Sequence, residues 1–374
     1  MDYGTQGYMK STFWKYLLLL TIALGGLQSC NDEVAGTYGA KPIAMGRLND
    51  MVVIADDYLW DGMPGDTFKH YYESAYPIMP NPEPMFDLRH FTTPELEAEA
   101  LRKELRTYVI LADLSDKNSA TTDMVRKDIG EERYLKALKD PTFTTTVGKD
   151  KWARGQVIIY LFGKGESALA AALRDKFTAV AERVRKHDEE QLLASIYTVK
   201  QENAGAIAAI KKQFGIDIKI PGDYDMAIKD EAENIVWLKR DDNESSSNII
   251  IRAYDYKDKD QLDKASALQL RDEYGKQYIS GPTEGSYMVT NDQDLPVYDY
   301  TYDIAGMYTR EFRGIWEMEG DFMGGPFVTY LILDQERGKL IFVDTFVYAP
   351  GKSKRNLVQQ LDYVVRHATK ADQL

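Results

Sequence analysis

The strongest constraint on the fold is a succession of three long β-rich runs near the C-terminus, separated by short loops. The runs cover Met307 to Glu319, Phe327 to Leu333 and Leu340 to Tyr348, and each of the two loops between them contains glycine. Short glycine-containing loops favour antiparallel neighbours, because parallel strands need a crossover connection of a dozen or more residues. The sequence therefore predicts an antiparallel meander in this part of the chain.

Strands and helices are interspersed upstream of the meander. An apolar run from Gln156 to Phe162 and a Gly-Lys-Gly turn precede a long helix with a core-facing stripe formed by Leu169, Leu173, Phe177, Val180 and Val184. The same order of strand, Gly-Lys turn and amphipathic helix recurs from Leu340 to Ala368. An ancient duplication could explain this recurrence, but the side-chain similarity is too small to establish one.

These patterns predict the α+β class, with mostly antiparallel sheets, helices packed on one face, and two halves that could be related. The N-terminal half is expected over residues 45–200 and the C-terminal half over residues 201–374. A chain of 374 residues has room for both, since a domain usually takes about 100–200 residues.

The first 29 residues have the order of a secretory signal. Lys10 and Lys15 form a basic segment, an apolar run extends from Leu17 to Leu27, and Gln28-Ser29 then leads to Cys30. The run is too short to span a bilayer, which takes about 20 apolar residues. We predict a lipoprotein signal peptide over residues 1–29, cleaved before Cys30.

Cys30 is the only cysteine, so it can form no internal disulfide, and acylation would give this thiol a role. Two or more acyl chains on one residue anchor a protein stably. We therefore predict a lipid-anchored lipoprotein of the cell envelope, favouring the outer membrane and leaving the leaflet open. Residues 30–44 are small and polar without periodicity, which predicts a flexible tether.

Composition and motifs exclude several classes of function. A net charge of -13 without a basic tract argues against nucleic acid as a partner. Gly351-Lys352-Ser353 resembles the end of a phosphate-binding loop but has Phe346 where that motif needs glycine. We predict no cofactor and no metal, because the histidines lack ligand spacing; they are His70, His90, His187 and His367.

The first candidate binding segment surrounds Trp316. Arg313 and Glu317 share one face of a predicted strand, where they could pair or meet a ligand, and Trp316 lies on the other face. Gly324 and Gly325 would let another backbone approach closely. The alternative interpretation is a buried core strand followed by a turn.

The second candidate is the start of the final helix. Lys352, Lys354 and Arg355 lie there, and the free N–H groups of a helix N-terminus attract anions. The alternative is a solvated first turn.

A third group consists of carboxylates around Trp60, namely Asp56, Asp57, Asp61 and Asp66. Paired carboxylates beside an aromatic side chain are typical of enzymes that hydrolyse glycans. Aspartates at a strand end and a helix start are also ordinary turn and cap residues.

Several separate motifs run through nearly the whole predicted mature chain. They are Gly46 to Ile54, Trp60, Gly65-Asp66, Pro80 to Phe86, Arg271-Asp272, Gly285 to Met288, Arg313 to Glu317, Met323 to Phe327, Tyr348 to Pro350 and Lys354-Arg355. Together they resemble the domain-of-unknown-function family 4837 of Gram-negative envelope lipoproteins. The resemblance implies an envelope lipoprotein and supplies no activity or catalytic residues.

The sequence thus favours a non-enzymatic binding or scaffolding body, held near the membrane, with an envelope protein or a glycan as its partner. The alternative is a periplasmic or surface hydrolase that acts on glycans through paired carboxylates. Two carboxylates converging in an open cleft lined by aromatic residues would favour the enzyme. These patterns assign no catalytic residue.

Overall fold

The computed structural model describes residues 41–198 and 202–371. The predicted signal peptide, Cys30 and most of the predicted tether lie outside these residues. No helix in the described ranges combines the length and the apolar character that crossing a membrane requires.

The N-terminal half is built on a five-stranded sheet of order β2-β1-β3-β5-β4. Its strands are β1 Asp50–Ile54, β2 Asp87–Phe91, β3 Thr107–Asp113, β4 Thr145–Lys149 and β5 Val157–Gly163. Its helices are α1 Asp57–Trp60, α2 Met63–Tyr72, α3 Thr93–Ala98, α4 Ala120–Ile129, α5 Glu131–Lys139 and α6 Glu166–Thr198. Three of the four strand pairings are parallel, and only β4 runs antiparallel to its neighbour.

Helices cover both faces of this sheet, whereas the sequence pattern predicted helices on one face. Every residue of β3 and β5 is buried, as is typical of strands enclosed on both sides. One face packs on α2 and α6, and the other on α4 and α5. The predicted stripe of α6 is confirmed, because Leu169, Leu173, Val180 and Val184 are buried in the first of these cores.

The C-terminal half is built on an eight-stranded antiparallel sheet of order β10-β12-β13-β14-β9-β8-β7, with β11 also pairing with β12. The strands of this half are β6 Ile216–Asp217, β7 Asp225–Asp230, β8 Ile235–Asp241, β9 Ser246–Asp255, β10 Tyr287–Asn291, β11 Tyr298–Ile304, β12 Met307–Glu319, β13 Gly324–Asp334, β14 Lys339–Tyr348 and β15 Thr369–Lys370. Its helices are α7 Ala204–Phe214, α8 Lys264–Tyr278 and α9 Arg355–Arg366. The predicted meander is confirmed as β12-β13-β14.

Here too both faces of the sheet are covered, by α7 and α9 on one side and by α8 on the other. The α+β class with mostly antiparallel sheets is confirmed for the described chain. The two halves share the strand, turn and helix order seen in β5-α6 and β14-α9. Their sheets nevertheless differ, since the first is mainly parallel and the second antiparallel.

A loop of the N-terminal half, residues 74–86, reaches into the C-terminal half and is called the docking loop below. Backbone hydrogen bonds from Tyr76 to Glu83 and from Met85 to Ser74 close it at 2.7 and 2.8 Å. Ile78 and Met79 at its tip are buried in the same core as α7 and α9. The junction between the halves is therefore a packed interface that positions the residues around it.

Candidate binding site between the two halves

A cavity of about 350 Å³ lies between the two halves. The N-terminal half contributes Leu48, Asn49, Tyr76, Pro77, Arg185, Asp188, Glu189 and Leu192. The C-terminal half contributes Tyr300, Tyr302, Arg313, Gln359, Asp362, Tyr363, Arg366 and His367. Interfaces between domains are a preferred location for ligand sites, and a lining of aromatic rings with a few fixed polar groups is their usual chemistry.

A network of ion pairs forms the side of the cavity made by β12 and α9. Arg313 Nη2 lies 2.6 Å from Asp362 Oδ2, and Arg313 Nε contacts Glu311. Arg366 Nη2 lies 2.7 Å from Glu311 Oε2, and Tyr330 Oη donates to Asp362 Oδ1 at 2.7 Å. Charge-assisted bonds of this kind fix side-chain geometry. The network therefore presents guanidinium groups whose charges are already compensated.

The local sequence explains this convergence. Glu311 and Arg313 are two residues apart on β12 and so share the face that looks toward α9. Asp362 and Arg366 are one turn apart on α9 and share a helix face. Burial alone would lower the pKa of Arg313, but the carboxylates of Asp362 and Glu311 hold it well above its usual value.

Asp188 on α6 is the cavity carboxyl with the most unusual environment. It is 7% exposed, and its Oδ2 accepts a hydrogen bond from the backbone N–H of Asn49 at 2.8 Å. Burial raises the pKa of Asp188 to about 6, although the Asn49 hydrogen bond and the charge of Arg106 oppose the rise. Among the described residues no cation lies within ion-pair distance of this carboxyl. Asp188 therefore gains or loses its proton near pH 6, in the pH range where many catalytic acids and bases of proteins work.

Tyrosines line the remaining wall. Tyr300 and Tyr302 of β11 have ring centroids 6.3 Å apart, and the Arg366 guanidinium lies 4.3 Å from the Tyr302 ring centroid. Tyr363 stacks on His367 with ring centroids 4.0 Å apart. Burial and the nearby Asp362 raise the pKa of Tyr76 to about 12, so its hydroxyl stays neutral beside the charged network.

Of the residues predicted around Trp316, the structure brings only Arg313 to this cavity. Glu317 instead accepts a hydrogen bond from Asn291 Nδ2 at 2.8 Å. Trp316 is buried on the opposite face of the sheet and donates from Nε1 to the Val347 carbonyl at 3.2 Å. Gly325 is packed so closely that a Cβ there would lie 2.0 Å from the Val347 oxygen, and one on Gly324 would lie 2.8 Å from the Trp316 oxygen. These glycines serve close packing of the meander.

The cationic start of α9 holds an anion from the chain itself. Oxygens of the Glu83 carboxylate accept from the backbone N–H groups of Lys354 and Arg355 at 2.7 and 2.9 Å. The Arg355 side chain pairs with Asp87 at 2.7 Å, while Lys352 pairs with Glu244 at 2.8 Å. The feature predicted to attract an external anion thus joins the two halves through the docking loop.

The carboxylates near Trp60 lie away from the cavity. Asp56 accepts from the hydroxyls of Ser119 and Thr121 at 2.5 and 2.9 Å, so it ties β1 to the start of α4. Trp60 stacks on His90 with ring centroids 4.7 Å apart. Across residues 41–198 and 202–371, His, Cys, Asp and Glu side chains do not gather in threes as metal ligands would.

Sequence reasoning missed most of the cavity. Asp188 is one acid among many on a long polar helix face, and nothing in its neighbours marks it. Two signals were available: the alternating Tyr298, Tyr300 and Tyr302 of β11, and the Asp362 and Arg366 pair beside the apolar stripe of α9. The sequence could not say that both would face Arg313.

The family comparisons divide the chain at the same junction. The model of the family described as a domain of unknown function, DUF4837, matches residues 203–367. Residues 203–367 belong to the DUF4837 family. A second model, also of a domain of unknown function, DUF8532, matches residues 44–197. The motifs from Gly46 to Phe86 therefore fall within the DUF8532 match, and the cavity lies between the DUF4837 part and the DUF8532 part.

No curated protein matches the chain. LpqN, a protein involved in cell envelope biogenesis of Mycobacterium tuberculosis, aligns at 15% identity and a TM-score of 0.26, over 42% of this chain and 83% of its own. A mutant of the protein Mog1 aligns at 14% identity and a TM-score of 0.28, over 42% of this chain and 92% of its own.

Proposed function

We propose that this protein is an exported, lipid-anchored binding protein of the cell envelope and that its ligand occupies the cavity between the two halves. The observation that carries the binding function is the cavity itself, with its preformed network of Arg313, Glu311 and Asp362 facing the buried Asp188. The predicted signal peptide over residues 1–29 and Cys30 support the location.

Rigid polar groups are what a binding site needs. Donors and acceptors held in place by other side chains lose little conformational freedom when a ligand arrives, so more of the interaction energy appears as affinity. The cavity meets this condition, because Asp362 is held by both Arg313 and Tyr330, and Asn49 is held by Gln359 at 2.8 Å.

The anchor is tested by feeding cells labelled palmitate and isolating the protein. Wild type is expected to carry label and to enter the detergent phase on partition, whereas Cys30→Ser is expected to lose both properties. Recovery of unlabelled wild type in the aqueous phase would refute the anchor and leave the cavity untouched.

Binding is tested by filling the cavity. Small saccharides, amino acids and short peptides would be screened by saturation-transfer NMR against the full chain carrying Cys30→Ser. Leu48→Trp replaces an aliphatic side chain of the cavity wall by a larger indole ring, and it should abolish each signal that reports binding in the cavity. Leu135→Trp is the matched control, because Leu135 is 44% exposed on α5. Signals that survive Leu48→Trp would contradict the proposal.

A second candidate, a glycoside hydrolase, is favoured by the raised pKa of Asp188 in an aromatic-lined cavity. Protonated Asp188 would give its proton to the glycosidic oxygen as the bond to the anomeric carbon breaks. Water would add to that carbon and pass its proton to a second carboxylate. Release of reducing ends from polysaccharide that disappears in Asp188→Asn would establish this function. Binding without release would leave the first proposal standing.

A further inference from the structure

We infer that the ligand is a saccharide chain, with one sugar unit in the cavity and the following units on a row of tyrosines formed by Tyr298, Tyr300 and Tyr302. The inference rests on the proposed function and names its ligand class.

The row and the cavity wall share one face of the sheet. In the antiparallel register, Tyr298 is opposite Arg313 and Tyr300 is opposite Glu311, so the tyrosines project on the same side as the ion-pair network. Tyr300 and Tyr302 line the cavity, and Tyr298 continues the row beyond it. The row therefore leads out of the cavity along the strand.

Two of the three tyrosines are open to solvent, and Tyr302 is half-buried beneath the Arg366 guanidinium. Tyr298 and Tyr300 are 43% and 39% exposed. Residues two apart on a strand are separated by about 7 Å, so successive rings are spaced along a line. Exposed aromatic side chains gathered in one place usually mark an interaction surface. A linear ligand with repeating units fits this arrangement.

The chemistry of the rings and the cavity selects sugars. The face of an aromatic ring is electron-rich, and the C–H groups on one face of a pyranose are apolar and slightly positive, so the two pack flat against each other. Within the cavity, the Asp188 carboxyl and the side-chain amides of Asn49 and Gln359 offer acceptors and donors for hydroxyl groups.

The balance of charge argues against an anionic ligand. Arg313 and Arg366 are paired with Glu311 and Asp362, and Arg185 is paired with Glu189. Asp188 is the lining charge without an ion-pair partner among the described residues, and it would attract a hydroxyl or the ammonium of an amino sugar. A neutral or amino-bearing saccharide therefore suits the site better than an acidic one.

An extended peptide is the main competitor, because β11 pairs with β12 along one side only in the described sheet. A peptide that added a strand to that edge would use backbone hydrogen bonds rather than the ring faces. The geometry favours the saccharide, since the tyrosines and the cavity lie on the face of the sheet.

The experiment measures binding of defined tetrasaccharides by calorimetry to the full chain carrying Cys30→Ser. The probes are β-1,4- and α-1,4-linked glucose tetramers and the β-1,4-linked tetramers of glucosamine and N-acetylglucosamine. At least one tetramer is expected to bind. Tyr300→Ala and Tyr302→Ala should each lower the affinity for that tetramer about tenfold or more. Tyr302→Phe keeps the ring and should stay within about threefold of wild type. Tyr308→Ala is the matched control, because Tyr308 is 45% exposed on the opposite face of β12.

The outcomes separate this inference from the proposed function. Suppose that the tetramers fail to bind, while amino acids or peptides bind to wild type and no longer bind to Leu48→Trp. The saccharide is then refuted and the binding function stands. If every probe fails, or binds regardless of Leu48→Trp, both are refuted. If Tyr308→Ala lowered the affinity for a tetramer as much as Tyr300→Ala and Tyr302→Ala do, the inference would also be overturned, because the tyrosine row would then contribute no more than a tyrosine on the opposite face. Circular dichroism of each variant identifies any that fail to fold.

Discussion

Burial raises the pKa of the Asp188 carboxyl, and this makes the stability of the folded protein depend on pH. An aspartate in an unfolded chain has a pKa of about 3.9, and burial in the cavity wall raises that of Asp188 to about 6. Between these values the folded protein holds a proton that the unfolded chain has lost. The stabilisation from this proton is therefore complete below about pH 4 and is lost as the pH rises through about 6.

The corresponding prediction concerns Asp188→Asn, which is neutral at every pH. At pH 7.5 the substitution should raise the free energy of unfolding, by no more than about 3 kcal/mol for a shift of this size, and at pH 4 it should leave that energy nearly unchanged. Urea denaturation at both pH values measures the difference. Glu189→Gln is the control, since the Glu189 side chain is 32% exposed and pairs with Arg185. An equal effect of Asp188→Asn at both pH values would contradict the assignment.

At the scale of elements, the start of α9 is stabilised by a residue from the other half. Glu83 accepts two backbone N–H bonds there and also contacts the Ser353 hydroxyl. The first N–H groups of a helix lack partners within the helix, so a carboxylate from outside satisfies them and interacts favourably with the helix dipole.

Glu83→Ala should accordingly lower the free energy of unfolding by about 1–2 kcal/mol and speed hydrogen exchange in the first turn of α9. Glu83→Gln retains an acceptor and should cost less. Glu182→Ala, at an exposed position on α6, controls for the loss of an acidic side chain. Unchanged exchange at Lys354 and Arg355 in Glu83→Ala would show that the contact does not hold the helix.

The same elements show how far sequence reasoning reaches. The stripe of α6 and the three strands of the meander follow from local periodicity, so they were predictable. The parallel pairing of β1 with β3 and the helices on both sheet faces depend on contacts between distant segments. The sequence placed Arg313 on one face of a strand with Glu317, where the two could pair or meet a ligand, yet the partners of Arg313 proved to be Glu311 and Asp362. The cavity joins Asn49 to Gln359, a pairing across 310 positions that no local pattern encodes.

The whole molecule depends on the docking loop, which links the cavity to the cores of both halves. Ile78 adopts a φ of 68°, an uncommon conformation for a β-branched residue, and its burial with Met79 in the C-terminal core compensates for that strain. The loop also supplies Tyr76 to the cavity and Glu83 to α9. Four prolines, at positions 77, 80, 82 and 84, restrict its unfolded conformations and so lower the entropy lost on docking.

We expect this loop to make the two halves unfold as one unit. The double variant Ile78→Ser, Met79→Ser removes two buried apolar side chains, each worth about 2 kcal/mol or more, and places hydroxyls in the core. Calorimetry should then resolve two heat-capacity peaks where wild type gives one, with the peak of the C-terminal half shifted to lower temperature. Ile43→Ser, Met45→Ser is the matched control, because these side chains are 70% and 50% exposed. A single peak that merely moves to lower temperature would mean that the halves are coupled by other contacts. Two peaks together with lost ligand binding would tie the cavity to the docked arrangement, since neither half alone encloses it.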